Sequence, residues 1–289
     1  MQVFLNGTIS GLTIALLALA FMLVYLPCRV FYLALAGIYA LVPYIALAGL
    51  RHGWPVWLLM SVAVGIGIIV SILCELLNHA PLEKKHASPG AHLIASLGVY
   101  LVLVQIVALV WGNETQVLRA GIDTVYRIGE TIRLTRAQVM AGCGSLILIA
   151  AFYLWLQFSN LGLRLRAMAD NPVQLALHGY NIGRLRLLAF AMSGFLASAS
   201  ALAVANDVGF DPHGGLPFLL MAIVAVVIGG NKSFLAPILG GLVLGIMRAA
   251  AVWHWSARWQ DAVSFLLLAL FLLFRPHGIL GQKLRLEAV

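Results

Sequence analysis

The chain has 289 residues, of which 62% are hydrophobic and only 10% charged, and its formal net charge is +8. A soluble domain is about 25% charged, and a chain this apolar has too little polar surface to cover its core, so the composition excludes an ordinary soluble protein and indicates one dissolved in lipid. The positive charge does not indicate a nucleic-acid partner, because the basic residues are scattered between apolar runs, where the signals for membrane topology lie.

Long apolar runs predict an all-α integral membrane protein, a polytopic helical bundle of eight to ten transmembrane segments in a single domain over 1–289. An apolar run of about 20 residues can cross a bilayer as a helix. The predicted spans lie near 5–26, 30–50, 54–78, 91–111, 138–158, 187–206, 216–230, 234–254 and 260–274. Those at 216–230 and 260–274 are short for a crossing, so we expect one of them to be tilted, re-entrant or broken.

The charges between the spans predict an orientation. Because no basic residue precedes Arg29, the start lacks the positive n-region of a signal peptide, and we expect the first span to be retained with the N-terminus outside. With 159–186 in the cytoplasm, the inner side carries more Lys and Arg than the outer side, as the positive-inside rule requires, and the C-terminus is cytoplasmic. The inner set is Arg29, Lys84, Lys85, Arg164, Arg166, Arg184, Arg186, Lys232, Arg275, Lys283 and Arg285. The outer set is Arg51, Arg119, Arg127, Arg133, Arg136 and Arg258.

Several ionisable side chains lie near the end of the third predicted span. Glu75 is close enough to that end for its carboxylate to reach the headgroup region, although an ionisable group in a span is by default a functional candidate. His79, His86 and His92 follow at spacings of seven and six residues, in a stretch that contains Pro and Gly. These spacings do not match the fixed ligand geometry of a metal site, so we expect a solvated loop and no bound metal.

The segment 112–137 is the longest predicted loop on the outer side. Its stretches TVYRI and TIRLT are rich in β-branched residues and are separated by Gly129 and Glu130. Two such runs around a short break are typical of a hairpin. We therefore expect a small external β-hairpin over the outer mouth of the bundle.

The segment 159–186 places a piece of polar sequence between two apolar spans. Within it, Asp170 or Asn171 can cap a helix, Pro172 suits the first helical position, and Gly179 suits a left-handed end. The pattern predicts a short helix over 172–178. A helix of two turns is marginal alone in water, so we expect it to pack on its own membrane domain or on a partner.

The stretch NLGLRLRAMADNPVQLALHGYNIGR resembles the cytoplasmic coupling loop of ABC-importer permeases of the branched-chain amino acid type. Three further stretches resemble the same family in the same order: the start LNGTISGLTIALLALAFMLVY, the glycine-rich VVIGGNKSFLAPILGGLVLGI and the end DAVSFLLLALFLLFRPHGILGQK. The resemblance thus covers nearly the whole chain. The residues that it assigns to coupling with an ATPase are Arg166, Ala167, Asp170, Asn171, Pro172, Leu175, Gly179 and Asn181.

The resemblance implies a multi-pass protein of the bacterial inner membrane that moves a small polar solute inward by alternating access. The partners that it implies are ABC ATPase subunits, a second permease subunit that is homologous or identical, an external solute-binding protein and the lipid bilayer. The chain has no G-x-x-x-x-G-K-[ST] phosphate loop, so ATP hydrolysis belongs to partner subunits. We expect no catalytic residue, no cofactor and no nucleic acid.

The second span is where the chain departs from the family pattern. Relatives carry polar Asn and His residues there, whereas this chain has apolar residues over 31–37. The family places this region along the solute path, which makes Tyr32, Gly37 and Tyr39 candidates for that path, and Arg248 is another because it lies deep in a span. The implied solute is a branched-chain or other amino acid, with urea or a short amide as alternatives.

Two other function classes remain as alternatives. An ion-coupled secondary transporter commonly places acids at mid-membrane, and no acid lies in the middle of a predicted span. An integral membrane enzyme needs a nucleophile beside a base, or a metal constellation, at one depth, and the sequence offers neither. Both alternatives are therefore less favoured than an importer subunit.

Overall fold

The computed structural model describes residues 1–118, 125–128, 132–230, 233–275 and 278–280. The predictions for some residues fall outside these ranges, namely those for Arg119, Gly129, Glu130, Lys232, Lys283 and Arg285. The helices are α1 (Gln2–Cys28), α2 (Ala34–Arg51), α3 (Val56–Leu73), α4 (Ala80–Lys84), α5 (Pro89–Trp111), α6 (Arg136–Phe158), α7 (Asn160–Asp170), α8 (Pro172–Leu177), α9 (Ile182–Ala205), α10 (Gly215–Gly229), α11 (Ala236–His254) and α12 (Gln260–Phe274). A π-helical stretch, Cys74–His79, joins α3 to α4, so that Val56–Lys84 is one continuous rod.

Eight helical rods in the described part of the chain are long and apolar enough to cross a membrane. They are α1, α2, the rod Val56–Lys84, α5, α6, α9, α11 and the run Ala257–Phe274, which adds a 3₁₀ turn to α12. The prediction of an all-α polytopic bundle is confirmed. The helix α10 has 15 residues, or about 22 Å at 1.5 Å per residue, which is shorter than a hydrocarbon core of about 30 Å. The prediction of a short segment at 216–230 is thus confirmed.

The rods run back and forth between the two ends of the bundle, except that α9 and α11 run in the same direction because α10 returns between them. One end, here called the hairpin end, gathers the N-terminus and the loops after α2, α5 and α9. There the side chain of Gln2 donates to the carbonyl of Arg133 at 2.6 Å, and Gln116 and Phe210 exchange two backbone hydrogen bonds of 2.9 Å. The opposite end carries α7, α8 and the loop between α4 and α5.

A two-stranded antiparallel hairpin stands at the hairpin end, as the sequence predicted. Strand β1 (Val125–Ile128) pairs with β2 (Ile132–Thr135). The last strand residue, Thr135, also starts α6 through a capping box with Gln138, in which the Thr135 hydroxyl accepts from the Gln138 amide at 3.2 Å. The hairpin and α6 are therefore one continuous unit, because the same residue ends the strand and caps the helix.

The helix α1 lies at the centre of the bundle. Most of its residues are buried, and it packs against α6, α9, α10 and α11. Small residues permit the closest of these approaches: Gly7 and Gly11 of α1 face Gly241 and Gly245 of α11. In lipid, such small residues let helix backbones come together and gain van der Waals contact. The rods α3, α5 and α12 bury far fewer of their residues than α1 does and lie at the periphery.

Candidate functional site

The segment 159–181 forms two consecutive helices, α7 and α8, at the opposite end of the bundle. The sequence predicted a loop with one short helix there. The first helix, α7, starts at Ser159, whose hydroxyl accepts from the amide of Gly162 at 3.0 Å. Its buried residues Leu165, Met168 and Ala169 recur at helical spacing, so α7 is amphipathic and lies on the bundle. Gly162 makes the corner with α6 possible, since a Cβ there would lie 2.6 Å from the Cα of Leu156.

The short helix α8 is built from local signals that the sequence had indicated. The Asn171 side chain accepts from the amides of Val173 and Gln174, both at 3.1 Å, so Asn171 rather than Asp170 is the cap. Pro172 is the first helical residue. After the helix, Gly179 has φ +83° and donates to Ala176, while Tyr180 donates to Leu175. These two bonds form a Schellman motif, which closes the helix with a residue in the left-handed region.

One side chain holds α8 to the bundle, and the rest of the helix faces outward. Leu175 is 7% exposed. By contrast, Val173 is 68% exposed and Leu177 is 83% exposed. Exposed apolar side chains on a rigid, doubly capped helix are typical of a surface that a protein partner covers.

Side-chain contacts of two arginines in α7 connect α7 to α6 and to the turn that follows α8. Arg166 donates to the side chain of Gln157 at 2.8 Å and to its carbonyl at 3.2 Å, which ties α7 to the end of α6. The guanidinium of Arg164 lies 4.9 Å from the ring centre of Tyr180, a cation–π contact that joins α7 to the turn after α8.

The chain then enters the next span directly. The Asn181 side chain accepts from the amide of Arg184 at 3.1 Å and caps α9. Ala167 is half-buried in α7, and Asp170 is exposed at its end. The eight residues assigned to coupling therefore lie in one continuous unit from α7 to the start of α9.

Arg186, which the sequence placed among the charges of the inner side, does not face water. Its side chain is buried, and its Nε donates to Glu75 Oε1 at 2.6 Å. Glu75 is 2% exposed, so its carboxylate turns into the bundle and does not reach the headgroup region. Both side chains can be buried because each charge has its counter-charge on a neighbouring helix.

The expected solvated loop around the histidines is also wrong for two of them. His79 is fully buried and His92 is 5% exposed. Their Nδ1 atoms lie 3.2 Å apart, and His92 Nε2 lies 3.8 Å from the carboxylate of Glu83. Glu83 in turn accepts from Arg186 at 3.0 Å. We call Glu75, His79, Glu83, His92 and Arg186 the Arg186 cluster. His86 alone stays in the exposed loop.

The four residues predicted for the solute path do not come together. Tyr32 is buried where α1 turns into α2, and its hydroxyl lies 3.1 Å from the hydroxyl of Ser71. Gly37 lets α2 approach Leu103 of α5. Tyr39 lines a cavity of about 220 Å³ near the hairpin end.

Arg248 lines an adjacent and larger cavity of about 600 Å³ between α1, α6, α9 and α11, which shares Val204, Val208 and Phe218 with the first. The polar side chains around this cavity include Asn6, Thr13 and Gln138. The Arg248 guanidinium donates to Asp261 at 3.1 Å and to the hydroxyl of Ser264 at 2.7 Å. Arg248 thus faces a mainly apolar cavity that holds a few polar side chains, and it also holds α11 to the start of α12.

The chain is similar to known proteins over nearly its whole length. Residues 3–272 match the family model described as branched-chain amino acid transport system / permease component. The high-affinity branched-chain amino acid transport system permease protein LivH of Escherichia coli is 26% identical, with 98% of this chain and 96% of the relative aligned. The corresponding protein BraD of Pseudomonas aeruginosa is 27% identical over the same shares.

A solved structure has a similar fold. It is titled PsaBC from Streptococcus pneumoniae in complex with Fab, and the likeness has a TM-score of 0.51 at 12% identity. It covers 96% of this chain and 93% of the other chain. At this identity the likeness concerns the fold alone.

Proposed function

The chain belongs to the family of branched-chain amino acid permease components, and we propose that it carries an amino acid inward, with α8 as the helix that receives force from an ATPase. As a member of this family it is a multi-pass inner-membrane permease subunit of an ABC importer, and such subunits are not enzymes themselves. The proposal adds the solute, the partners and the residues that couple them.

The observation that carries the proposal is the exposed, doubly capped helix α8. Its ends are fixed by Asn171 and Gly179, and its apolar side chains Val173 and Leu177 face away from the bundle. A partner that covers these side chains gains apolar contact with a surface that is already rigid, so little conformational freedom is lost on binding. The partner proposed here is an ABC ATPase subunit, bound on the cytoplasmic side.

The orientation follows from the same assignment. If α8 is cytoplasmic, the hairpin end is external, the N-terminus is outside and the C-terminus is cytoplasmic. The hairpin and the loop 206–214 then form the surface on which an external solute-binding protein docks. A second permease subunit, identical or homologous, would complete the transport unit.

We propose a branched-chain amino acid as the solute because the relatives named above are permease proteins for branched-chain amino acids. Residues 32–37 are buried in helix packing and line neither of the two cavities, so they do not decide the solute. Urea or a short amide would instead need additional polar partners, because their surface is mostly polar. Ligand screening of the partner binding protein by calorimetry separates these solutes. Retention of urea or an amide, without any amino acid, would overturn the solute assignment.

The coupling role of α8 is tested with Gly179→Val in the intact transporter. A β-branched residue is strongly disfavoured at φ +83°, so the turn that orients α8 should be lost while the bundle is unchanged. We expect the variant to reach the membrane in normal amount, but to copurify poorly with the ATPase and to lose uptake.

Gly98→Val is the matched control, since Gly98 has an ordinary negative φ and a Cβ built there meets nothing within 4 Å. It should copurify with the ATPase as the unchanged chain does. Normal uptake by the Gly179→Val variant would refute the role of α8.

A further inference from the structure

We propose that Arg186 and Glu75 form the joint through which movement of α8 reaches the rods Val56–Lys84 and α5. Arg186 is on this view a positioning residue for transport, since it acts through the helices that it connects. The inference rests on the coupling role proposed for α8, and it concerns residues that the comparison with relatives does not assign.

A short connection links α8 to the helix that carries Arg186. Only residues 178–181 separate the end of α8 from the start of α9, and Asn181 caps α9 through the amide of Arg184. Four residues span at most about 14 Å even when fully extended. The link is also held at both ends, by the turn at Gly179 and Tyr180 and by the Asn181 cap, so a displacement of α8 is passed to the first turns of α9, where Arg186 lies.

The contact between Arg186 and the rod Val56–Lys84 has a defined direction. Arg186 Nε and Nη2 donate to the two oxygens of Glu75, at 2.6 and 3.4 Å, while Nη1 donates to Glu83 at 3.0 Å. A guanidinium that uses its planar fork on two carboxylates is fixed in orientation as well as in distance. Arg186 thus binds the rod Val56–Lys84 at two points, Glu75 and Glu83, which lie on either side of residue 79.

The helix α5 also contacts the rod Val56–Lys84 next to Arg186. His92 lies on α5, and it contacts Glu83 at 3.8 Å and His79 at 3.2 Å. The Arg186 cluster therefore joins α9 to two rods that follow each other in the chain, Val56–Lys84 and α5. All of its members except Glu83 are buried.

Stability alone does not explain such a cluster. Because removing two charges from water is costly, well-packed apolar residues in their place are often equally stable or more stable. The ionic contact instead supplies direction, and the rod is π-helical over Cys74–His79 where it meets Arg186. Such π-helical turns inside α-helices are frequent at functional sites. An oriented contact at an irregular turn suits a joint better than it suits a passive core.

The test uses the complete transporter in proteoliposomes, with its ATPases and binding protein. Two quantities are measured: radiolabelled leucine taken up per ATP hydrolysed, and the stimulation of ATP hydrolysis by the binding protein. The variants are Arg186→Gln, Arg186→Lys, Glu75→Gln and the double variant Glu75→Gln/Arg186→Gln. Arg184→Gln is the matched control, because Arg184 is an exposed arginine on the same turn.

We expect Arg186→Gln to keep the ATPase bound, to keep basal hydrolysis, and to lose about tenfold in both measured quantities, a change typical of a coupling between two sites. Arg186→Lys should be intermediate, since an ammonium keeps the charge without the fork. Arg184→Gln should behave as the unchanged chain.

The double variant covers the case in which a single variant does not assemble, because it leaves no lone buried charge. It should assemble and be as poorly coupled as Arg186→Gln alone. Assembly with normal leucine uptake per ATP and normal stimulation would overturn the inference. Failure of the double variant to assemble, where Arg184→Gln assembles, would also overturn it, since the pair would then serve folding.

These outcomes differ from a failure of the proposed function. If the unchanged chain binds no ATPase, or if Gly179→Val is fully active, the coupling role of α8 is wrong. If the unchanged chain shows stimulation but no leucine uptake, only the solute assignment is wrong, and stimulation still decides the role of Arg186. If Gly179→Val fails while Arg186→Gln is normal, only the joint is wrong.

Discussion

The crossing of α1 and α11 gives a prediction whose size follows from the distances. A Cβ added to Gly241 would lie 2.7 Å from both the Cα and the Cβ of Ala15, and 2.8 Å from its backbone nitrogen. Carbon atoms in favourable contact are about 3.5–4.0 Å apart. Because the opposing atoms belong to a helix backbone, no side-chain rotation relieves the overlap. In the Gly241→Ala variant the two helices must therefore part by about 1 Å.

Such a separation weakens the whole crossing. A radial gap of 0.5–1 Å removes about a quarter to a half of the dispersion attraction at each contact, and overpacking typically costs about 1–3 kcal/mol. Packing is the main attraction between helices in lipid, so the full cost should appear in stability. With a shift of about 2–4 °C per kcal/mol for a chain of this size, we expect the melting temperature in detergent to fall by about 5 °C.

The control is the same substitution at Gly98 in α5. No heavy atom lies within 4 Å of a Cβ built there, and alanine is the better helix former by about 1 kcal/mol. The melting temperature of Gly98→Ala should be unchanged or higher when it is followed by fluorescence-detected size exclusion after heating. Equal melting temperatures for the two variants would refute the reasoning from close packing.

Two further substitutions test the coupling segment and the larger cavity. Asn171→Ala removes the cap of α8, at a cost of about 1 kcal/mol, and should reduce the ATPase retained on copurification. Asn113→Ala is its control, because it makes the same change in an exposed residue at the hairpin end, and equal retention for both would contradict the role of the cap. Arg248→Gln should raise the half-saturating concentration for uptake more than Asp261→Asn does, if Arg248 faces the solute, whereas equal effects in transport assays would indicate that their ion pair merely holds α12.

Local signals made α8 and the hairpin predictable from sequence. The cap Asn171, the first-turn Pro172 and the left-handed Gly179 each act within a few residues, so they need no knowledge of the rest of the fold. The β-branched runs on both sides of Gly129 are likewise local signals, and they predicted the pairing of β1 with β2. The amphipathic α7 was missed because its arginines gave it the appearance of a polar loop.

The Arg186 cluster was not predictable by the same means. Arg186 and Glu75 are 111 residues apart, and each taken alone looks like a charge at the end of a span, which usually faces the headgroups. One signal was present, namely that an acid and a base lay at the same predicted end of two apolar spans. Since burying either charge alone is costly, such a combination makes an ion pair between the spans a reasonable prediction.

Hydropathy predicted which segments cross the membrane but not which of them lie in the core. The rods α1 and Val56–Lys84 contain 18-residue stretches with mean hydropathies of 2.4 and 2.6, yet 78% of the stretch in α1 is buried and only 22% of that in the other rod. In water, a more apolar helix would be the more buried one. Lipid solvates any apolar helix well, so hydropathy does not indicate which membrane helix lies in the core. What separates the two rods is the number of sides on which they are approached closely. Gly7 and Gly11 admit the backbone of α11 to α1, which also packs against α6, α9 and α10. The other rod approaches α9 closely at Gly67 but has open space beside Gly65. The information that places a helix in this core is therefore carried by small residues in register with another helix, a property of pairs of segments.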